Sequence, residues 1–374
     1  MGRLEQLRAL HASRASSLAS DPDATRAAKA PRIPRTPEAK RVPRTAGFAN
    51  IHSDYSTTAA ILAAVAIVWI CYQLYKAATF IYQHFLRQSS LKRYRQNTGS
   101  EAAAWAMVTG ASDGIGKAFA EELCVSGFNV ILHGRNGDKL ERVKEDLLRQ
   151  WPNREIQLFV HDAGSDSPSK LDDLIHQVKS LQLKILINNI GGSGNRKPLW
   201  TPLQNWEEDR IQLFLDLNAR FPTEVTRRLL PHLVKGSSAL VLNVGSITGE
   251  IASPYLSVYA GSKAYNKAWS RSLGMEMQME GHLNVEVLHI LVGGVATTNS
   301  GFLSSNLFVP NPRRMAKAAL DKVGCGRDIV YGYWPHEVQQ YVLEALPAWF
   351  RDWLLMRTVR AFKDDEERES SKKK

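Results

Sequence analysis

A tyrosine and a lysine lie four positions apart in the stretch "SVYAGSKAYNKAW". On a helix these positions are one turn apart on the same face, so Tyr259 and Lys263 are predicted to point into the same space. The residues between them, Ala260, Gly261 and Ser262, are small and leave room for a ligand. A nearby ammonium favours the phenolate, so we expect Lys263 to lower the pKa of Tyr259. The pair predicts acid–base chemistry, while the same spacing is also typical of an amphipathic helix with a surface lysine.

The elements that must position this pair follow a regular rhythm from about Ala102 onward. Six apolar segments read as strands, and amphipathic segments such as "DKLERVKEDLLRQ" separate them: "AWAMVTGAS", "NVILHGR", "IQLFVHDA", "LKILINNIGG", "SALVLNVGS" and "VEVLHILVGG". Apolar strands joined by helical crossovers predict an α/β fold, a doubly wound parallel sheet of the Rossmann type. Ligands on such sheets bind beyond the carboxyl ends of the strands.

A glycine-rich turn follows the first predicted strand. The segment "TGASDGIG" places Gly110, Gly114 and Gly116 between that strand and the helical stretch "KAFAEEL". Glycines there let the backbone turn tightly and approach a pyrophosphate, whose charge is stabilised at the N-terminus of the next helix. The turn therefore predicts dinucleotide binding.

Five motifs in order resemble the short-chain dehydrogenase/reductase family over roughly residues 103–335. The spacing Gly-x-x-x-Gly-x-Gly is the first, and "NNIG", with Ile190 in place of the family's alanine, is the second. Asn218 in "LDLNARF" matches the family's helix asparagine, and Ser246 precedes Tyr259 by 259 − 246 = 13 residues, the usual interval. Tyr259 and Lys263 complete the resemblance to a catalytic tetrad.

The resemblance implies an NADPH-dependent oxidoreductase that acts on a carbonyl or hydroxyl group. Tyr259 would donate a proton to the carbonyl oxygen, and Ser246 would donate a hydrogen bond to it. Lys263 would bind the nicotinamide ribose. Asn218 would hold a water that links Lys263 to solvent, although Pro222 is expected to kink that helix. The implied cofactor-binding residues are Gly110, Ser112, Gly114, Ile115, Gly116, Arg135, Asp162, Asn189, Tyr259, Lys263, Val295 and Thr297.

Cofactor choice is predicted from the end of the second strand, "ILHGR". An acid there would bind the ribose 2′-hydroxyl of NAD, whereas an arginine accommodates the 2′-phosphate of NADP. Arg135 therefore predicts NADPH and NADP⁺, while a solvated surface arginine is the alternative. Asp113 departs from the basic residue that many NADPH-preferring relatives carry in the glycine loop. Asp162 resembles the family's adenine-contacting acid, and capping of a turn explains it equally well.

Composition excludes other classes of function. The chain of 374 residues has a formal net charge of +11. Residues 1–50 hold ten Lys and Arg against four acids, 10 − 4 = +6, so more than half of the excess lies in a leader that cannot build a core. We therefore expect no nucleic-acid partner. Three cysteines without a Cys-x-x-Cys pair predict neither a disulfide framework nor a metal site.

An apolar run of 17 residues, Ala59 to Tyr75, is interrupted only by Gln73. This length is just enough for a tilted membrane helix, which needs roughly 17–25 residues; a buried core helix is the alternative. Five basic residues follow the run and three precede it, which favours a cytosolic C-terminal side: Lys76, Arg87, Lys92, Arg93 and Arg95 against Lys40, Arg41 and Arg44.

The predicted organisation has five parts. A basic leader over 1–55 precedes a transmembrane or interfacial helix over 56–88, and the catalytic domain spans 102–337. An amphipathic helix over 338–363 follows, which either lies at a membrane surface or packs against protein, and a charged tail covers 364–374. In the helix, Trp349, Phe350 and Trp353 alternate with arginines, as in helices that lie at a membrane surface.

Within the family, the chain is most similar to membrane-bound 3-ketoacyl-CoA reductases of fatty-acid elongation and the related 17β-hydroxysteroid dehydrogenases. "VTGASDGIGKAFAEEL" and "VPNPRRMAKAALDKVG" carry this similarity. It implies the endoplasmic reticulum membrane, a cytosolic catalytic domain and a long-chain acyl-CoA substrate. That branch usually has a proline where this chain has Val292-Gly293-Gly294, so a steroid or secondary-metabolite ketone remains an alternative.

A catalytically silent membrane scaffold of the same fold is the alternative of another class. The segment from Thr298 to Pro312 is expected to form a lid over the substrate. A homodimer, or partners in an elongation complex, is left open.

Overall fold

The computed structural model describes residues 46–96, 103–192, 198–298 and 304–371. The predicted basic leader lies outside these residues up to position 45, and so do residues 299–303 of the predicted lid and 372–374 of the tail. The chain divides into two compact units, Met1–Cys71 and Tyr72–Lys374.

The first described element is a long apolar helix, α1 (Ala46–Ile81), which ends in a π-helical turn, Tyr82–Leu86. Within it, the 32-residue segment Tyr55–Leu86 is long and apolar enough to cross a membrane. Every side chain from Tyr55 to Tyr75 is exposed. An exposed apolar helix of this length is the expected form of a membrane span and not of a core helix.

Seven parallel strands form one sheet in the order β3-β2-β1-β4-β5-β6-β7. The strands are β1 (Trp105–Thr109), β2 (Asn129–Gly134), β3 (Ile156–Val160), β4 (Leu183–Asn188), β5 (Ala239–Val244), β6 (Val285–Leu291) and β7 (Ile329–Tyr331). The doubly wound α/β fold is thereby confirmed, with the six predicted strands in place. The seventh was not predicted because its three residues form too short an apolar run.

Helices cover both faces of this sheet. Those described after α1 are α2 (Arg93–Gln96), α3 (Gly114–Val125), α4 (Gly137–Gln150), α5 (Leu171–Val178), α6 (Glu208–Leu215), α7 (Phe221–Leu233), α8 (Ser257–Met279), α9 (Pro312–Leu320), α10 (Trp334–Ala345) and α11 (Ala348–Ser371). Side chains of α3, α4 and α9 belong to one core cluster, and those of α5, α7 and α8 to another.

Alternation along the strands separates the two clusters. Ala106 and Val108 of β1 belong to the first cluster, while Trp105 and Met107 belong to the second. Strands whose side chains are buried on both faces must be apolar at nearly every position, which is why they appear as continuous apolar runs in the sequence. Because all seven strands are parallel, the segments that follow β1 to β6 meet at one edge of the sheet.

Helical structure near the C-terminus is divided differently from the prediction. The structure has two helices where a single one over 338–363 was expected, and α11 continues to Ser371. Both belong to the second compact unit, Tyr72–Lys374. The break lies at Leu346, whose backbone is extended, directly before Pro347, as the steric restriction on a residue preceding proline requires.

Candidate active site

Tyr259 and Lys263 lie one turn apart near the start of α8 and face the same side of the helix. The Lys263 Nζ is 5.7 Å from the centroid of the Tyr259 ring and donates a hydrogen bond to the Val244 carbonyl oxygen at 3.1 Å. Lys263 is only 4% exposed, and burial lowers the pKa of its ammonium to about 8. The end of β5 therefore fixes the lysine beside the tyrosine.

Three hydroxyl groups meet just beyond β5. The Ser246 Oγ lies 2.8 Å from the Thr248 Oγ1, and the Tyr259 hydroxyl forms hydrogen bonds with both. Burial is the largest influence on the Tyr259 pKa and raises it, while the hydrogen bonds from Ser246 and Thr248 act in the opposite direction. The expected lowering of this pKa by Lys263 is not seen, because the ammonium is directed to Val244. A raised pKa keeps Tyr259 protonated at neutral pH, as a proton donor must be.

Asn218 is completely buried in a π-helical turn, Asp216–Arg220. Its Oδ1 accepts a hydrogen bond from the Gly192 N–H at 2.9 Å, and its Nδ2 donates to the Gly192 carbonyl at 3.0 Å. The Asn218 carbonyl accepts a hydrogen bond from the Asn266 Nδ2 at 2.6 Å. Pro222 directly follows this π-helical turn and lies in the first turn of α7, where its missing N–H is tolerated. Asn218 thus holds the loop after β4 against α8.

Gly191 brings this loop against the catalytic pair. A Cβ at Gly191 would lie 2.7 Å from the Asn218 Oδ1 and 3.0 Å from the Lys263 Nζ. No other residue type fits there without displacing one of these groups. The glycine of the "NNIG" motif is therefore required for steric reasons in this chain.

The glycine loop forms a tight turn at the N-terminus of α3. Gly110 and Gly114 have φ values of +66° and +57°, which favour glycine. A Cβ at Gly116 would lie 2.0 Å from the Gly110 carbonyl oxygen, so only glycine permits this approach. The Asp113 Oδ1 accepts a hydrogen bond from the Gly114 N–H at 2.7 Å, and its Oδ2 accepts one from the Thr298 hydroxyl at 2.8 Å.

Asn189 and Thr109 connect β4 to this loop. The Asn189 Nδ2 donates to the carbonyl oxygens of Thr109 and Gly110, at 3.0 and 3.3 Å. The Thr109 Oγ1 accepts hydrogen bonds from the N–H groups of Asn189 and Ile190, at 2.9 and 3.1 Å. Asn189 is therefore placed beside the glycine loop, with its side chain used to hold the loop.

Two residues predicted to contact the adenosine half of the cofactor lie at the ends of β2 and β3. Arg135 is exposed and has no hydrogen-bond or ion-pair partner among the described residues. Ser112 lies close by, since a Cβ at Gly134 would be 3.6 Å from its hydroxyl. The Asp162 Oδ1 accepts a hydrogen bond from the Gly164 N–H at 3.0 Å and so caps a turn, in line with the alternative explanation.

The other residues predicted to bind the cofactor are Ile115, Val295 and Thr297. They lie on the side of the glycine loop opposite Arg135. Val295 is 3% exposed, and the Ala296 N–H donates to the Pro310 carbonyl at 3.0 Å. Thr297 packs against the loop, because a Cβ at Gly114 would lie 3.3 Å from the Thr297 methyl. Ile115 packs partly buried against the first core cluster.

These residues fit a dinucleotide. The three glycines from Gly110 to Gly116 keep much of the loop backbone accessible at a helix N-terminus, which suits a pyrophosphate, and the Asp113 carboxylate caps the Gly114 N–H there. The unpaired guanidinium of Arg135 lies at one end of the carboxyl edge of the sheet. The pair of Tyr259 and Lys263 lies at the other end of this edge. Between them the edge offers groups for phosphate, ribose and carbonyl oxygen.

A profile of the short chain dehydrogenase family matches residues 104–307. The chain belongs to this family. It is 32% identical over 265 residues to a very-long-chain 3-oxoacyl-CoA reductase of Neurospora crassa, which covers 69% of this chain and 76% of the relative. A relative of the same name from Mycosarcoma maydis is 31% identical over 283 residues, 74% of this chain and 78% of the relative.

Solved structures of short-chain dehydrogenases share this fold. One, described as giving structural and biochemical insights into 7beta-hydroxysteroid dehydrogenase stereoselectivity, superposes with a TM-score of 0.60 at 18% identity and covers 70% of this chain and 99% of its own. A short-chain dehydrogenase from Sphingobium yanoikuyae in complex with NADPH gives a TM-score of 0.53 at 21% identity, with 66% and 97% covered. These structures show the fold, and the family match together with the curated relatives shows that the present chain is an oxidoreductase, as predicted.

Three polar residues of the site were not predicted from the sequence. Thr109 accepts the two N–H groups after β4, Thr248 completes the hydroxyl group cluster, and Asn266 binds the Asn218 carbonyl. Asn266 lies seven residues after Tyr259, two helical turns along the same face, and that spacing was a usable signal. Thr109 and Thr248 carried no such signal, because single threonines near strand ends are common.

The last helix, α11, contacts two loops at the carboxyl edge of the sheet. The Glu366 carboxylate accepts hydrogen bonds from the N–H groups of Leu199 at 2.9 Å and Trp200 at 3.2 Å. The Trp200 and Phe362 rings stack with centroids 5.7 Å apart. The Lys363 Nζ lies 5.4 Å from the centroid of Tyr255, the residue four positions before Tyr259. Helix α11 therefore joins the loop after β4 to the loop after β5.

Proposed function

We propose that this chain is a membrane-anchored, NADPH-dependent reductase that converts 3-oxoacyl-CoA to 3-hydroxyacyl-CoA in very-long-chain fatty-acid elongation. The observation that carries the proposal is the group of Ser246, Tyr259 and Lys263 at the edge where the glycine loop lies. Relatives named very-long-chain 3-oxoacyl-CoA reductase, similar over about two thirds of this chain or more, support the substrate class.

Tyr259 and Ser246 act on the carbonyl oxygen of the substrate. NADPH, when bound, supplies the hydride to the carbonyl carbon. As the carbon–oxygen double bond becomes single, the oxygen gains negative charge and takes the proton of the Tyr259 hydroxyl. The Ser246 hydroxyl, already in contact with Tyr259, donates a hydrogen bond to the same oxygen. Thr248 holds the Ser246 hydroxyl in place.

Lys263 and Asn218 help to return a proton to Tyr259 after it has protonated the substrate. The Lys263 ammonium donates to the Val244 carbonyl while Tyr259 is protonated, and it would turn toward the phenolate and stabilise it once Tyr259 has given up its proton. Its other role is to bind the ribose hydroxyls of the cofactor. The Asn218 carbonyl uses one lone pair for Asn266, which leaves the other for a water on the path from Lys263 to solvent.

The cofactor is NADPH because Arg135 offers an unpaired guanidinium at the end of β2. A guanidinium binds a phosphate through two parallel hydrogen bonds, which a neutral 2′-hydroxyl cannot match. Ser112 and the glycine loop lie beside it. The Asp113 carboxylate keeps its charge and is directed to the Gly114 N–H and the Thr298 hydroxyl.

The membrane anchor is α1, and the membrane is that of the endoplasmic reticulum with the catalytic domain on the cytosolic side. The C-terminal end of the candidate span is fixed to the catalytic domain. The His84 Nε2 lies 2.6 Å from the Glu337 Oε2, and the Lys322 Nζ donates to the Gln83 carbonyl at 2.9 Å. An acyl chain gains about 0.8 kcal/mol for each CH₂ buried in lipid, so an anchored enzyme has access to substrates that partition into the membrane.

Exposed aromatic side chains at the start of α11 support a second contact with the membrane surface. Trp349 is 74% and Trp353 45% exposed, and the Arg357 guanidinium lies 5.4 Å from the Trp353 centroid. Aromatic rings next to arginine are typical of helices at the headgroup level.

The substrate is tested with the full-length protein in detergent. NADPH oxidation is followed with 3-oxoacyl-CoA thioesters of increasing chain length and, in parallel, with ketosteroids. We expect turnover of the long-chain thioesters. Turnover of ketosteroids alone would instead support a steroid enzyme, and turnover of neither, with NADPH bound, would support a scaffold or a reductase of another ketone.

The catalytic assignment is tested with Tyr259→Phe. General acid catalysis contributes roughly 10²–10⁴-fold, so kcat should fall by about that factor while NADPH still binds. A variant that keeps most of the activity would contradict the role given to Tyr259.

A further inference from the structure

In the loop after β6, Val295 and Thr297 match positions that contact the nicotinamide amide in the family, and the backbone before them is unusual for that role. It contains two adjacent glycines, Gly293 and Gly294, and no proline before Val295 and Thr297. Glycine has more accessible backbone conformations than any other residue, so such a loop needs support from elsewhere. In this chain the support comes from His336.

His336 forms hydrogen bonds with three backbone groups. The Gly293 N–H donates to its Nδ1 at 3.0 Å. The Nε2 lies 3.1 Å from the Gly294 carbonyl oxygen and 3.2 Å from that of Phe308. The ring therefore connects the loop after β6 to the far end of the predicted lid.

Gly293 and the imidazole are also sterically matched. A Cβ at Gly293 would lie 2.8 Å from the His336 Cδ2 and 3.0 Å from its Cγ. The ring thus occupies the space that a side chain would need. His336 itself is completely buried in the first turn of α10, and the Tyr333 ring packs edge-on at 5.2 Å.

These contacts require one form of the imidazole. Nδ1 must be unprotonated to accept from Gly293, and Nε2 must carry the hydrogen that is donated to the two carbonyls. Burial lowers the pKa of His336, while the two carbonyl contacts raise it. The neutral ring is the form that satisfies all three neighbours.

We propose that His336 is a positioning residue that fixes the backbone of Val292–Gly294, and through it the nicotinamide contacts of Val295 and Thr297, while tying Phe308 of the lid to the same loop. The inference rests on the proposed function for the identity of the reaction. The contacts of the ring with Gly293, Gly294 and Phe308 do not depend on the substrate.

The first test compares His336→Ala with Gln340→Ala in the full-length protein. Gln340 is buried one turn later on the same helix and bonds to Glu344 instead of the loop. We expect kcat to fall roughly tenfold in His336→Ala, the effect of losing one or two hydrogen bonds. The fluorescence of bound NADPH, which reports the surroundings of its nicotinamide, should change as well. Gln340→Ala should lose thermal stability only.

The second test is a double-mutant cycle between Gly293→Ala and His336→Ala, read out by NADPH fluorescence and thermal unfolding. In the parent protein the new methyl meets the ring, so Gly293→Ala should perturb both measurements. In the His336→Ala background the space is free, and the same change should have little further effect. If His336→Ala does not fold, His336→Asn takes its place in the cycle, because the asparagine amide oxygen can accept a hydrogen bond from the Gly293 N–H.

Equal behaviour of His336→Ala and Gln340→Ala in kcat and NADPH fluorescence would overturn the proposal. Full additivity in the cycle would do the same. Neither fluorescence nor unfolding requires a substrate. If the parent enzyme turned over no thioester while the cycle was strongly non-additive, the proposed function would fail and the role of His336 would stand.

Discussion

The cofactor side and the substrate side of the strand edge are built in different ways. On the cofactor side, backbone segments pack directly against each other. Gly116 approaches the Gly110 carbonyl so closely that a Cβ on Gly116 would lie 2.0 Å from its oxygen. On the substrate side, side chains from the end of the chain hold the loops. The Glu366 carboxylate binds the N–H groups of Leu199 and Trp200, 167 and 166 positions earlier in the sequence.

This difference has a consequence for what each side tolerates. A site built from close backbone contacts requires glycine at fixed spacings, because any side chain would displace the backbone. A loop that is held by side chains tolerates substitution of one side chain at a time and can still close the site. The cofactor side is therefore the constrained half, and the substrate side is the half in which specificity can change.

The largest effect should follow from adding a methyl group to the constrained half. In Gly116→Ala the new Cβ meets the Gly110 oxygen and, at 2.6 Å, the Asn189 Nδ2. The displaced loop must be restored before it can hold the pyrophosphate, at a cost of about 3 kcal/mol at the upper end for overpacking, so NADPH affinity should fall roughly 100-fold by fluorescence titration. Gly137→Ala is the control, since its Cβ would have an ordinary contact of 3.6 Å with Val160. Equal losses in both variants would contradict the distinction.

The constrained half is also the one that the sequence predicts well. The strands and the glycine loop depend on local patterns, apolar runs and fixed glycine spacing, and the structure has them where they were expected. Asn218 was predicted as a site residue, but its π-helical turn was not, because an extra residue in a helix leaves no periodic signal.

The substrate half could not be predicted in the same way. Glu366 lies in a charged stretch, "KDDEERE", in which nothing distinguishes it from its neighbours. On the cofactor side the same is true of His336 and Gly293, which are 43 positions apart and whose match is visible only once β6 and α10 are packed together. Contacts of this kind follow from tertiary packing and not from local propensity.

Cofactor choice is the next largest effect and tests the outer end of the constrained half. Arg135→Ser removes the exposed guanidinium at the end of β2. A hydrogen bond to a charged group contributes about 1.5–3 kcal/mol, so the Kd for NADPH should rise roughly 10- to 100-fold and that for NADH should stay unchanged. Arg142→Ser, another exposed arginine on the adjacent α4, should change neither. An unchanged preference in Arg135→Ser would place the phosphate site elsewhere.

Lys263 lies where the two halves meet, and its charge should set the alkaline limit of the reaction. Burial lowers its pKa to about 8, so the ammonium is present below that pH and is lost above it. The rate of reduction should fall about tenfold for each pH unit above 8. Lys263→Arg keeps its charge throughout this range and, although slower, should lack this decline. The same decline in Lys263→Arg would assign it to another group.

The smallest effect is expected from the substrate half, at Glu366. Glu366→Gln removes the charge that the N–H groups of Leu199 and Trp200 share, and the loop after β4 should loosen. The carboxylate is partly exposed, and glutamine keeps an acceptor oxygen, so the loss should lie near 1 kcal/mol, below the range for hydrogen bonds to charged groups. That is a rise in KM of roughly five- to tenfold for the thioester, measured at saturating NADPH.

The matched control is Asp364→Asn, which removes a charge from an exposed position two residues earlier on α11 and should leave KM unchanged. The Kd for NADPH should be the same in both variants, because the loops that α11 contacts among the described residues are those after β4 and β5. If Glu366→Gln weakened NADPH binding as strongly as it raised KM, the two halves would be coupled through the loop after β4. The "NNIG" segment, which contacts both Lys263 and Asn218, would then connect the cofactor half of the site to the substrate half.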